Sequence, residues 1–414
     1  MQGEYTVLQE VTESSSLAIS AYNAEWKSHH ALLSFMSNHN ETVLRKMNES
    51  ESASGRPYFI ALLTSGCISI SAEALFQNMS QDDQKINEFT DKRGKRRSQN
   101  EWPIVYSKEY DVKLCGLQKL HPFDAEKWRH IFLNLKKENM LSDETVSTPV
   151  EADAEMLLLV HTQKYLNSLK WSWKVAKITE IPAIAIIPNW IINQRYLKPM
   201  RFQVGGSVLA GELAIHRGWS INIGGGFHHC SGNEGGGFCS YADITLLIKW
   251  LFKFYPQRVK TAMIVDLDAH QGNGHERDFF NDEKVFIMDV FNREIYPRDS
   301  PAKEAIKCMV ELESYTSDSE YLDLVERKLE RSLHKFHPDI LVYNAGTDIL
   351  SGDPLGRLDI SAEGIIRRDE IVFMKARERR VPIVMLTSGG YLKKTAEIIS
   401  RSILNLEALN LISR

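Results

Sequence analysis

Thr261-Ala262-Met263-Ile264-Val265-Asp266-Leu267-Asp268-Ala269-His270 decides the fold class of this chain. An apolar, partly β-branched run gives way at Asp266 to ionisable groups at every second position. Such a run without polar alternation reads as a strand covered on both faces. Residues 261–267 are one such strand, and 220–223, 285–290, 339–343 and 382–387 are others. Between them, residues 207–216, 244–254, 319–335, 361–376 and 392–404 carry helical periodicity. Strands alternating with helices of this length imply βαβ units with right-handed crossovers. The class is therefore α/β, with a mostly parallel central sheet and helices on both faces. In such a sheet, ligands bind in the crevice beyond the strand C-termini. Three polar stretches begin there: Gly224-Gly225-Gly226-Phe227-His228-His229, Asp266–His270 itself, and Tyr343-Asn344-Ala345-Gly346-Thr347-Asp348.

The chain has 414 residues, enough for one large α/β domain with an appendage or for two or three small domains. Hydrophobic residues at 43% and charged residues at 25% are ordinary for a globular protein. A formal net charge of −4 argues against a grip on nucleic acid through the whole surface, and it leaves basic partners such as lysine-rich tails unopposed. The five cysteines, Cys67, Cys115, Cys230, Cys239 and Cys308, are odd in number and irregularly spaced. That pattern points away from a disulfide framework and toward a reducing intracellular compartment. No Cys-x-x-Cys pair suggests a thiolate zinc site. The N-terminus lacks the charged start and apolar core of a signal peptide. The most apolar early stretch, residues 58–71, is too short and too rich in Ser and Thr to span a bilayer.

Residues 1–100 differ in texture from the rest. They are rich in Ser, Asn, Glu and Gln and read as a partly disordered extension. The basic run Lys92-Arg93-Gly94-Lys95-Arg96-Arg97 closes it. That run suits either a nuclear import signal or a solvated linker. Residues 101–414 form the second region, dense in alternating strands and helices. It shows no internal repeat, no heptads and no cofactor fingerprint. The clusters 224–226 and 235–237 lack the Lys-Ser/Thr ending of a phosphate loop.

Extended backbone places Asp266, Asp268 and His270 on one side of the chain. Three ionisable groups at the end of a buried strand need a cation to offset their charge, and a divalent metal supplies it. Taken alone, Asp-x-His also suits a strand-end cap. Gly272 and Gly274 favour a close backbone path around a ligand. Asp348, after another buried run, completes an Asp2His set with room for water and substrate. Zinc, cobalt, iron and manganese all accept these donors. His228 and His229 supply acid and base beside the metal, provided carboxylates hold them at different pKa values, with Asp266 the partner of one. Ser388-Gly389-Gly390-Tyr391 presents a phenol suited to an oxyanion.

These residues match a known family. From residue 102 to 409 the chain resembles the zinc-dependent histone deacetylases, most closely their class IV branch. The matches are Pro103-Ile104-Val105-Tyr106-Ser107, Leu120-His121-Pro122-Phe123-Asp124, Gly225-Gly226-Phe227-His228-His229-Cys230 and Gly235-Gly236-Gly237-Phe238-Cys239. Residues 266–277, Met288-Asp289-Val290, and residues 343–350 and 387–391 match as well. The resemblance implies the arginase/deacetylase fold over residues 101–414 and one Zn2+ on Asp268, His270 and Asp348. It implies His229 as general base and acid, His228 assisting through Asp266, and Tyr391 polarising the scissile carbonyl. Gly237 and Phe238 would line a tunnel for the acyl-lysine chain, with Phe227 near its mouth. A K+ site would fall on Asp266, Asp268, His270, Asp289 and Val290.

The chain departs from some relatives at Asn273, where they carry an aspartate that orients the second histidine. An amide keeps the hydrogen bond without the charge, so His229 should be less basic. The same fold hosts binuclear manganese ureohydrolases, which need a carboxylate two residues after the Asp-x-His histidine. Gly272 stands there, which favours one metal.

The expected activity is hydrolysis of acyl groups, acetyl or longer, from the ε-amine of lysine in histones or other proteins. It would use metal-activated water, the histidine pair and the tyrosine. Acetylpolyamines and long-chain acyl-lysine are alternative substrates, and a scaffold retaining the pocket is an alternative role. Corepressor-type partners, a place in the nucleus or cytoplasm, no membrane span and no sequence-specific nucleic-acid binding complete the expectation.

Overall fold

The computed structural model describes residues 89–113 and 124–414, all within one unit, Asp83–Arg414. The expected extension up to residue 88, the Leu120-His121-Pro122-Phe123 match, Cys67 and Cys115 lie outside the described residues. A two-stranded antiparallel hairpin comes first, β1 (Phe89–Thr90) with β2 (Arg96–Arg97). Eight strands then form one sheet: β3 (Trp102–Val105), β4 (Val146–Ser147), β5 (Trp219–Asn222), β6 (Ala262–Asp266), β7 (Val285–Asn292), β8 (Cys308–Leu312), β9 (Ile340–Asn344) and β10 (Ile383–Leu386). Their order is β4-β3-β5-β10-β9-β6-β7-β8, and every pairing is parallel.

Every residue of β5, β6, β7, β9 and β10 is buried. Helices must therefore cover both faces of the central sheet, as a wholly parallel sheet requires. The helices Asp243–Phe254, Asp318–Lys335 and Ala362–Glu378 start within a residue of the sequence expectation. The helix expected over 207–216 is twice as long, Lys198–Arg217. Glycines in its first half obscured it, because glycine disfavours a helix interior. Packing explains one of them: a Cβ on Gly206 would stand 1.9 Å from the Tyr110 hydroxyl. The helix expected over 392–404 begins later, at Thr395–Ala408. Among the described residues, no helix is long and apolar enough to cross a membrane. Cys230, Cys239 and Cys308 are free thiols.

The basic run forms the turn and second strand of the hairpin. Asp91, buried, accepts from the backbone amides of Arg93 at 3.0 Å and Lys95 at 2.9 Å. Arg97 is buried against the same carboxylate, its Nε 2.8 Å from Asp91 Oδ2, and its Nη1 donates to Thr148 O at 3.1 Å. The spacing of charges in this run thus follows a turn built around one acid. Removing one partner of a buried ion pair strands the other. Asp91→Ala should lower stability by about 3–5 kcal/mol in urea unfolding. Arg93→Ala, which loses only the half-exposed pair with Asp153, should cost about 1 kcal/mol or less.

Candidate functional site

The strand ends are aligned. Asn222, Leu386, Asn344, Asp266 and Asp289 are successive register partners across β5, β10, β9, β6 and β7. The loops that follow leave from one row. After β6 the chain moves outward to β7, and after β9 it moves the other way to β10. Loops that diverge between neighbouring strands open a crevice. Asp268 and His270 enter it from β6, and Asp348 enters it from β9.

One ligand atom from each of Asp268, His270 and Asp348 lies within 4.8 Å of the others, and all three residues are buried. His270 Nδ1 stands 2.7 Å from Asp348 Oδ2 and 3.2 Å from Asp268 Oδ1. Each carboxylate is held from behind. The Ala269 amide donates to Asp348 Oδ1 at 2.9 Å, and Ser388 Oγ and the Gly389 amide donate to Asp268 Oδ2 at 3.1 and 3.2 Å. Gly346 allows the two loops to touch, since a Cβ there would lie 2.3 Å from Asp268 Oδ2. Burial, followed by the Asp268 carboxylate, pushes the Asp348 carboxyl up to about 7. Acids forced together out of water call for a cation, and two oxygens with one imidazole nitrogen suit a divalent metal.

The paired histidines have different partners. His228 Nδ1 donates to Asp266 Oδ2 at 3.0 Å. Burial opposes charge on this ring, but Asp266 and Asp268 outweigh it and raise the pKa to about 9. His229 Nδ1 meets Asn273 Oδ1 at 2.9 Å, while Asn273 Nδ2 donates to Asp299 Oδ2 at 3.1 Å. Asp299 thereby turns the amide so that its oxygen faces His229. Nδ1 must then carry the proton, leaving a lone pair on Nε2. Burial, then the charges of His228 and His270, hold the His229 pKa well below normal. The carboxylate absent from position 273 reappears one hydrogen bond farther out. Arg277 Nε holds Asp299 Oδ2 in turn, at 2.9 Å.

Tyr391 also neighbours His270. The His229 ring centroid is 5.8 Å from that of His270, and Tyr391's is 6.3 Å from it. The Tyr391 amide donates to Asp353 Oδ2 at 2.9 Å. Lys127, fully buried, reaches the same loop and donates to Ser388 O at 2.5 Å and Gly389 O at 2.9 Å. Gly237 abuts the His229 ring, and the Phe238 amide donates to Ile178 O at 2.9 Å. Phe227 and Phe238 are buried, whereas Tyr296, 46% exposed, sets its ring edge-on to His229 at 4.9 Å. His229 keeps 9% exposure and Tyr391 is half-buried, so these two side chains are nearer solvent than Asp268, His270 and Asp348.

A second cluster lies behind the first. Asp266, His275 and Asp289 also place ligand atoms within 4.8 Å of one another. His275 Nε2 is 2.8 Å from Asp266 Oδ2, and Asp289 accepts from the Gly272 amide at 2.9 Å. Of the residues expected around a monovalent cation, Asp266 and Asp289 stand side by side in register, and Val290 follows in β7.

The structure thus brings Asp266, Asp268, His270, His228, His229, Asn273, Asp348 and Tyr391 together. Lys127, Asp243, His275, Tyr296, Asp299 and Asp353 went unread. Each is a single polar residue in an ordinary helix or loop, and only its neighbours give it meaning. Asp243 is typical: its carboxylate accepts from the Gly226 and Phe227 amides at 2.8 and 2.7 Å and so shapes the loop that carries both histidines. Gly346→Ala should drive the two ligand loops apart. Overpacking of this kind costs about 1–3 kcal/mol, readable as a lower thermal midpoint in the metal-free protein.

Known proteins give this geometry a context. Residues 121–406 match the family described as "Histone deacetylase domain". The chain is 51% identical to Histone deacetylase 2 of Arabidopsis thaliana over 309 residues, 75% of this chain and 79% of that protein. It is 29% identical to the acetoin utilization protein AcuC of Staphylococcus aureus (strain MRSA252), covering 66% of this chain and 72% of that one. The crystal structure of the HDA15 HD domain shares the fold, with a TM-score of 0.59 at 19% identity over 75% of this chain and 88% of that one. A family match across most of the chain and a relative at this identity leave one assignment: the chain belongs to the histone deacetylase family.

Proposed function

We propose that the chain is a zinc-dependent hydrolase that removes acyl groups from the ε-amine of lysine in histones or other proteins. One observation carries this reading. The rings of a candidate base, His229, and a candidate oxyanion donor, Tyr391, both neighbour that of the same candidate ligand, His270, at 5.8 and 6.3 Å.

Asp268, His270 and Asp348 would hold the metal. When bound, it would supply Lewis acidity, polarising the amide carbonyl and bringing the pKa of water toward about 7. His229 takes the proton of the attacking water on Nε2, the nitrogen left free by its bond to Asn273. The Tyr391 hydroxyl donates to the carbonyl oxygen as it gains negative charge. His228, cationic through Asp266, offsets that charge from behind. His229 then returns its proton to the departing amine as the C–N bond breaks. Water and amide become lysine and a carboxylate. Gly237, Phe238 and Phe227 are proposed to line the path of the acyl-lysine chain, with Tyr296 at its edge.

Several finer assignments rest on the family resemblance. They are the class IV branch, residues 1–100 as an extension to a catalytic region over 101–414, corepressor-type partners, and a nuclear or cytoplasmic place. K+ is proposed at Asp266, Asp268, His270, Asp289 and Val290, supported by an Asp289 Oδ1 that lacks a hydrogen-bond partner. His275 Nε2, 2.8 Å from Asp266 Oδ2, competes for one of these carboxylates.

Hydrolysis of acetyl-lysine peptide, myristoyl-lysine peptide and acetylated polyamine, each with and without a chelator, tests this reading and ranks the substrates. Tyr391→Phe should lower kcat by about 10²–10³ with the metal retained. Asp348→Ala should abolish both metal binding and turnover. Undiminished hydrolysis in chelator-stripped protein would refute the scheme, and absence of turnover on all three would favour a scaffold.

A further inference from the structure

Arg368 and Asp369 lie in the helix Ala362–Glu378, and both side chains are buried. Burying a guanidinium is costly unless its donors are used. Two of its partners explain its presence. Arg368 Nη1 donates to Gly346 O at 2.5 Å and to Leu267 O at 3.3 Å. Leu267 lies between Asp266 and Asp268 on the loop after β6. Gly346 lies two residues before Asp348 on the loop after β9, and it presses against Asp268. One cation thus joins the carbonyls of both loops at the point where they diverge.

The guanidinium is itself held. Its Nε donates to Asp369 Oδ1 at 3.0 Å, and Nη2 pairs with the same oxygen at 2.9 Å. The Tyr343 hydroxyl donates to Asp369 Oδ1, Ser402 Oγ donates to Oδ2 at 2.6 Å, and the Tyr343 ring lies 5.7 Å from the guanidinium carbon. A planar fork anchored on one edge presents its remaining donors in a fixed direction, which a lysine ammonium on a flexible stem does not.

We propose that Arg368 is a positioning residue. It clamps the β6 and β9 loops together so that Asp268, His270 and Asp348 converge before any metal arrives. The proposal rests on the reading that these three residues bind a divalent metal. Partners outside the ligands commonly set metal affinity by orienting them.

The test uses the full chain, stripped of metal and titrated with Zn2+ against a chromophoric chelator. Co2+ absorption reports ligand geometry, and thermal melts of the metal-free protein report folding. Arg368→Lys keeps the charge and loses the fork. It should weaken Zn2+ binding by about 10–100-fold, alter the Co2+ bands and leave the metal-free melt near that of the parent. The double variant Arg368→Met/Asp369→Asn leaves no stranded buried charge and should weaken binding at least as much. Ser400→Ala removes a buried hydroxyl that donates to Ala396 O at 2.7 Å and Ile131 O at 3.5 Å, outside the Arg368–Asp369 cluster, and should bind Zn2+ like the parent.

Parent-like Zn2+ affinity in Arg368→Lys would overturn the clamp, as would failure of that variant to fold or an equal loss in Ser400→Ala. If the double variant does not fold, Arg368→Lys decides alone. A parent protein that takes up no Zn2+, or an Asp348→Ala variant that binds it equally well, would instead refute the metal site.

Discussion

Acidic groups crowded together out of water at the ends of β6 and β9 are the constraint on which the rest of the structure depends. Asp266 at the end of β6, and Asp268 and Asp348 on the loops after β6 and β9, are all buried, with Asp289 in register beside Asp266. Left to themselves they would repel or take up protons. The fold answers with imidazoles, backbone amides, the Ser388 hydroxyl and the Asn344 side-chain amide. His228, His270 and His275 each meet a carboxylate, and the amides of Ala269, His270, Gly272 and Gly389 point at carboxylate oxygens. What remains for Asp268, His270 and Asp348 is a place for a cation.

The division of labour between His228 and His229 follows from the same economy of charge. Both rings are buried neighbours with centroids 4.1 Å apart, so both cannot easily be cations. The ring bonded to a carboxylate carries the charge. The ring bonded to an amide stays neutral and exposes a lone pair. Asp299 matters here without touching either ring, because it decides which end of Asn273 faces His229. An asparagine at position 273 is thus a neutral relay to an outlying acid rather than a weakened copy of an aspartate.

The loops of the site are held as firmly as the residues they display. Lys127 grips the backbone before Tyr391, Asp353 takes its amide, and Asp243 gathers the amides before the histidine pair. All three act on main-chain atoms. They fix where a side chain begins and leave its chemistry unencumbered, which suits groups that must exchange protons or ligands.

The amino-acid sequence determined the fold class, the main central strands and the core of the candidate site. The physical reason is local: a buried parallel strand demands a continuous apolar run, and an abrupt change to Asp and His at its end has few other uses. It did not determine the extent of the helix Lys198–Arg217, whose glycines are accounted for by neighbours far along the chain, nor the hairpin, where a basic run closes on a single buried acid. Nor did it show which partner each histidine takes, or that Asn273 leans on Asp299. Those relations join residues from 26 to 44 positions apart along the chain. Only the tertiary structure decides them, because hydrogen bonds and charge depend on distance in space, and the order of strands in the sheet sets that distance.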